Sequence, residues 1–207
     1  MLSILQTQIP GKVKFSLALA RCEPNDCSNM FQSRLFVASL MVMAAVASRI
    51  LPHPPNFTPL LAVSLFSGAF LSDKRLAYGV PLLAMLISDL YFGFHSLMPV
   101  IYLCMALGVY SGFRLLPDRP ALKTAGYTIA GSVLFFLVTN FAVWLTSGMY
   151  PLNEQGLVAC FALAIPFFQN SIAGDLVYTG ALFGGMYLLE RMNVVPTTNS
   201  APIKAKI

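Results

Sequence analysis

Charge is scarce in this sequence. Lysine, arginine, aspartate and glutamate make up 10% of its 207 residues, against roughly a quarter in soluble domains, so the chain lacks the polar surface a water-soluble fold needs. Several chemical signatures are also missing. There is no GxxxxGK[ST] loop for nucleotide, no HExxH, no GxSxG, and no pair of carboxylates at metal-binding spacing. These absences point away from an enzyme: no catalytic residue, no cofactor and no metal site are expected, and the chain has no visible means of hydrolysing ATP. The four cysteines, Cys22, Cys27, Cys104 and Cys160, form no CxxC pair and have no histidine partners suited to zinc. Cys104 and Cys160 fall in apolar runs, where a small buried thiol is the common role. Cys22 and Cys27 share a polar leader, where a disulfide is only weakly indicated and a cytoplasmic location would keep both reduced.

What the sequence does have is hydrophobicity. It is 57% hydrophobic with a mean hydropathy of +0.72, and it divides into apolar stretches near the roughly 20 residues a helix needs to cross a bilayer. The expected fold is an all-α integral membrane protein, a six-transmembrane-helix bundle with both termini inside. The spans read Leu35 to Leu51, Phe57 to Leu71, Leu76 to Phe94, Leu97 to Leu116, Ala125 to Ser147 and Ser171 to Leu189. A seventh apolar piece, Gly156 to Phe168, is too short to cross and reads as a re-entrant or interfacial helix before the last span, set apart by Pro166 and Gln169-Asn170. Three regions follow: a poorly ordered cytoplasmic leader over 1–33, a helical transmembrane domain over 34–192, and a disordered cytoplasmic tail over 193–207. Met30, just before the first span, is an alternative start.

The basic residues orient the bundle. Lys12, Lys14, Arg21, Arg34, Lys74, Arg75, Arg114, Arg119, Lys123, Arg191, Lys204 and Lys206 all fall at one set of helix ends, and Arg49 alone at the other. The positive-inside rule then places both termini in the cytoplasm of a multi-pass protein of the cell (inner) membrane. The net charge of +5 is accounted for by these clusters, so no nucleic-acid partner is expected; the lipid bilayer is.

With that orientation, polar residues within the spans collect toward the outer side. Arg49 closes the first span, Asp89 falls near the outer end of the third, Asn140 and Trp144 in the outer part of the fifth, and Asp175 one turn inside the last. Asn56, His53, His95, Gln169 and Asn170 lie in the loops at that level. A carboxylate at membrane depth is costly unless it pairs or faces a cavity, which makes intramembrane Asp a functional candidate. Ser171, Asp175, Tyr178 and Thr179 share one helix face, as do Asn140, Trp144 and Ser147. The structural alternative is an Arg49 pair with Asp89 or Asp175 that merely holds helices together. Gly108 with Gly112, and Gly180 with Gly184, form GxxxG pairs read as internal helix packing.

Four segments carry a resemblance: Pro52 to Pro59 (PHPPNFTP), Ser88 to His95 (SDLYFGFH), Asn140 to Pro151 (NFAVWLTSGMYP) and Ile165 to Tyr178 (IPFFQNSIAGDLVY). Together they resemble an uncharacterised family of bacterial membrane proteins described as transporters, over roughly Val46 to Arg191. That family is similar in size and topology to the substrate-binding S components of energy-coupling factor (ECF) transporters. The resemblance implies uptake of a small solute, such as a vitamin or other micronutrient, through an outward-facing pocket. The candidate binding residues are Arg49, Asn56, Asp89, Asn140, Trp144, Gln169, Asn170 and Asp175, and a separate energising ATPase or transmembrane module is an implied partner. The alanine motif by which many S components dock that module is matched only loosely by Ala44 to Ser48. Two other classes stay open: a membrane scaffold with no solute, and an intramembrane enzyme using Asp89 and Asp175, which would require them about 5–10 Å apart.

Overall fold

The structure, a computed structural model, describes residues 36, 39–52, 54–71, 73–116 and 119–192. The leader, the tail, His53, Cys22 and Cys27 lie outside the described residues. Those described form six helices and no strand: α1 Ser39–Ile50, α2 Leu60–Phe70, α3 Lys74–Phe92, α4 Met98–Phe113, α5 Ala121–Thr146 and α6 Glu154–Arg191. Three of them, α3, α5 and α6, are long and apolar enough to cross a membrane.

At 11 residues, α2 is the shortest of α2 to α6, and it is the most enclosed. Eight of its residues, Ala62 through Ala69, are buried, and it packs against α3, α4, α5 and α6. Such a position suits its sequence, LLAVSLFSGAF, which is apolar or small all round. Its crossing with α4 is made by glycines. A Cβ on Gly68 would sit 2.1 Å from the Val109 carbonyl oxygen, and one on Gly112 would sit 2.2 Å from that of Leu65, so the two backbones approach as closely as they do only because side chains are missing. On the other side, Pro81 inside α3 has no N–H for the Ala77 carbonyl. The buried Ser67 hydroxyl of α2 donates to that carbonyl at 2.9 Å instead, so α2 repairs the proline's defect.

The Gly180–Gly184 pair of α6 behaves differently from the expectation of internal packing. A Cβ at either position would meet nothing within 4 Å, because the α6 face that packs on α5 and α2 runs through Gly174, Asp175 and Thr179, out of phase with those glycines.

The re-entrant piece before the last span is also corrected. Residues 154 to 191 form one continuous 38-residue helix with Pro166 inside it, about 57 Å long at 1.5 Å per residue. Pro166 falls between two contacts with α5 whose spacing differs on the two helices. Asn140 and Ser132 are eight residues apart on α5, yet their α6 partners, Cys160 and Asp175, are fifteen apart, or about 12 Å against about 22 Å of helix. The two helices are thus out of step along the stretch in which the proline lacks a helical hydrogen bond. Phe136 bridges the stretch by touching both Phe161 and Phe168, at 5.6 and 4.6 Å between centroids.

Candidate functional site

The irregular backbone of the bundle lies ahead of α2. After α1 ends at Ile50, the chain runs through a proline-rich stretch, turns at Asn56 with φ of 63°, a conformation asparagine tolerates better than most residues, and enters α2 at Pro59 with no side-chain cap. Phe57 anchors this segment on α6: its ring lies 5.6 Å from that of Tyr178, and its Cα would be 3.2 Å from a Cβ on Gly174. Gly174 and Tyr178 flank Asp175, the twenty-second of the 38 residues of α6. Asp175 accepts a 2.7 Å hydrogen bond from Ser132, the twelfth of the 26 residues of α5. The carboxyl therefore sits at mid-height of both long helices, deeper than the place near the start of the last span expected of it. The reason is that α6 begins 17 residues before Ser171.

A cavity of about 380 Å³ opens where this segment, α1, α3, α4, α5 and α6 converge. Its polar lining is Arg49, Asn56, Thr58, Ser171 and Asp175, and its apolar wall includes Met85, Phe92, Met105 and Phe135. Helix spacing explains the convergence on α6, since Ser171 and Asp175 are one turn apart.

Arg49 is held from α3. One guanidinium nitrogen donates to the Met85 sulfur, another lies 3.4 Å from Asp89 Oδ1, and the cation sits 5.9 Å from the centre of the Phe92 ring. Met85, Asp89 and Phe92 follow the i, i+4, i+7 spacing that puts them on one face. Asp89 is 1% exposed; Tyr102 of α4 donates to its Oδ2 at 3.1 Å, while Oδ1 has no hydrogen-bond partner. Arg49 and Asp89 thus balance each other's charge, with Arg49 at the cavity wall and Asp89 behind it.

The remaining predicted residues lie elsewhere. Asn140 donates back to the Phe136 carbonyl at 2.8 Å, and its own carbonyl faces Cys160 Sγ at 3.5 Å. Trp144 donates to the Pro151 carbonyl at 3.0 Å and stacks at a tilt on Phe141, which ties the α5–α6 loop to α5. Neither is among the cavity residues, nor are Gln169, which is exposed, and Asn170, which is half-buried.

Sequence reasoning missed Thr58 and the hydroxyls of α5. Thr124, Thr128 and Ser132 are the buried residues of that helix, and the last two join it to α6: besides the Ser132–Asp175 bond, Thr128 donates to Thr179 at 3.2 Å. The i, i+4, i+8 run of hydroxyls Thr124, Thr128 and Ser132 was the available signal. Among the described residues no group of three His, Cys, Asp or Glu is placed to hold a metal.

No curated protein and no solved structure matches the chain. A family of unknown function, DUF6580, matches residues 29–198, which includes every described helix and the whole cavity; the chain belongs to that family.

Proposed function

We propose that this chain is a six-span membrane protein, with both termini in the cytoplasm, that captures a small solute in the cavity beside α2 and takes it up. The observation that carries the reading is the cavity itself, about 380 Å³, which falls within the usual range of small-molecule sites and joins five polar side chains, with Asp175 at mid-height of α6 among them. An 11-residue helix covers only about 17 Å of a hydrocarbon core near 30 Å. The irregular Leu51–Pro59 segment would have to occupy the rest of that depth, and non-helical backbone is tolerated there where it lines a cavity or is buried in protein. The charge asymmetry of the sequence supports the orientation, and the resemblance to ECF S components supports solute capture, with a separate ATPase-driven module as the partner. Arg49, Asn56, Thr58, Ser171 and Asp175 would contact the solute, with Asp89 holding Arg49 in place. Because Arg49 already has a counter-charge, Asp175 is the group left to meet a cationic or donor-rich part of the solute.

A scaffold role is favoured by one observation, that each carboxylate already has a partner within the bundle, Asp89 in Arg49 and Tyr102 and Asp175 in Ser132. Thermal unfolding of the purified protein in detergent, screened against amines, amino acids and vitamins, separates the two readings. Uptake predicts that at least one compound raises the melting temperature, and that Asn56→Gly, which keeps the backbone turn available but removes the amide, loses the shift while melting normally alone. If no compound moves the wild-type protein, or if filling the cavity with Leu61→Trp leaves every shift intact, the cavity binds nothing and the scaffold reading stands.

A further inference from the structure

Asp175 is 3% exposed yet lines the cavity, and its surroundings suit two protonation states without any movement of heavy atoms. Ser132 Oγ lies 2.7 Å from Asp175 Oδ2 and 3.0 Å from the Thr128 carbonyl, but a hydroxyl has one proton to donate. With Asp175 ionised, Ser132 donates to the carboxylate. With Asp175 protonated, the carboxyl donates to Ser132 Oγ and the serine proton turns to the Thr128 carbonyl. Thr128 and Thr179 complete the seam below, with the Thr128 hydroxyl within reach of both the Thr124 carbonyl, at 3.0 Å, and Thr179 Oγ1.

The charges around the site favour the neutral form when the cavity is empty. Across the cavity, Arg49 of α1 is engaged by Asp89 of α3, which Tyr102 of α4 also contacts. The residues of α2 include no titratable group, α5 presents the hydroxyls of Thr128 and Ser132, and on α6 the ring of Tyr178 packs on Phe57. Among the described residues no basic side chain forms an ion pair with Asp175. An ionised Asp175 would be an uncompensated charge in an apolar bundle, which a proton or a cationic group of a solute would remove.

We propose that Asp175 is a proton-exchange site opening on the cavity and that its proton is linked to solute occupancy. An O–H bond forms on the carboxylate as hydronium entering the cavity breaks one of its own and leaves as water; the carboxyl O–H bond breaks, passing the proton back to water as hydronium, when a cationic group arrives. The link to a solute rests on the uptake reading; the exchange of the proton does not. Infrared difference spectra of the protein in liposomes, stepped through external pH in H₂O and D₂O, use the proton itself as the probe. The expected result is a carboxyl carbonyl band that titrates and shifts in D₂O, is absent in Asp175→Asn and is retained in Asp89→Asn. Asp175→Glu should restore the band at a new position, which guards against misfolding of the Asn variant. Ser132→Ala should make the band persist to higher pH, since the ionised form loses its donor. A band unchanged in Asp175→Asn, or no titrating band in the wild type, overturns the proposal. For a cationic compound found by thermal shift, affinity should rise by up to about tenfold per pH unit on the acid side of the titration and stay flat in Asp175→Asn; a pH-independent wild-type affinity overturns the link. A titrating Asp175 in a protein that binds no compound would end the uptake reading alone.

Discussion

The α2–α4 crossing and the α5–α6 seam bring helices together by opposite means. At the first, Gly68 and Gly112 remove side chains so that backbone meets backbone, and Gly108 makes room for the Ser64 side chain. At the second, Ser132, Thr128, Thr179 and Asp175 keep the helices joined through side-chain hydrogen bonds. Both α4 and α6 contain a GxxxG pair, but only the α4 pair faces a neighbour. The motif alone therefore does not say whether it packs, whereas here the buried hydroxyls opposite a carboxyl do mark where two helices meet.

The largest expected effect is at the glycine crossing. Gly112→Leu must push α2 and α4 apart against backbone atoms that cannot rotate away, and we expect destabilisation of more than about 4 kcal/mol, read as loss of monodisperse protein after extraction in detergent. Normal yield would mean the two helices are not in contact.

Next comes the ion pair that walls the cavity. Arg49→Gln leaves Asp89 buried without a counter-charge and should cost about 3–5 kcal/mol, measured by thermal unfolding. Asp89→Asn in the same chain should recover most of it, because the two residues couple directly. Equal losses in the single and double variants would show that Arg49 acts through something other than Asp89.

The hydroxyl seam should yield less. Thr128→Ala removes the bond to Thr179 and is expected to cost about 0.6 kcal/mol, the usual scale of such interhelical bonds; a loss as large as that of Gly112→Leu would make the seam, and not the glycine crossing, the tighter contact. Smallest of all is Gly184→Leu, expected to melt within about 0.5 kcal/mol of wild type, because its Cβ meets open space. A severe defect there would reveal an unseen neighbour against that face of α6.

Much of this was legible in the residues. Apolar stretches located α1 to α5 to within a few positions, while the last span and the short piece before it proved to be one helix starting at Glu154; the polar outliers Arg49, Asn56 and Asp175 do meet at one cavity. Asn140 and Trp144 were equally polar but turn to the Phe136 and Pro151 carbonyls, since a nearby backbone acceptor competes with any cavity and sequence spacing cannot rank the two. The break expected at Pro166 proved to be continuous helix, because a helix can lose one hydrogen bond and continue. The irregular segment proved to be Leu51–Pro59, where three prolines within four residues, Pro52, Pro54 and Pro55, deny the helix its donors.

By itself the sequence determined the all-helical, charge-poor character of the chain, because hydrophobic run length and composition are local properties that no tertiary contact alters. It also determined that Ser171, Asp175 and Thr179 share a face, because helical spacing does. Only the tertiary structure decided that Asp175 meets Ser132, that Arg49 belongs to Asp89, and that one glycine pair packs while the other stays open. Each of these depends on the phase and height at which two distant helices face one another, and a period of 3.6 residues carries no record of either.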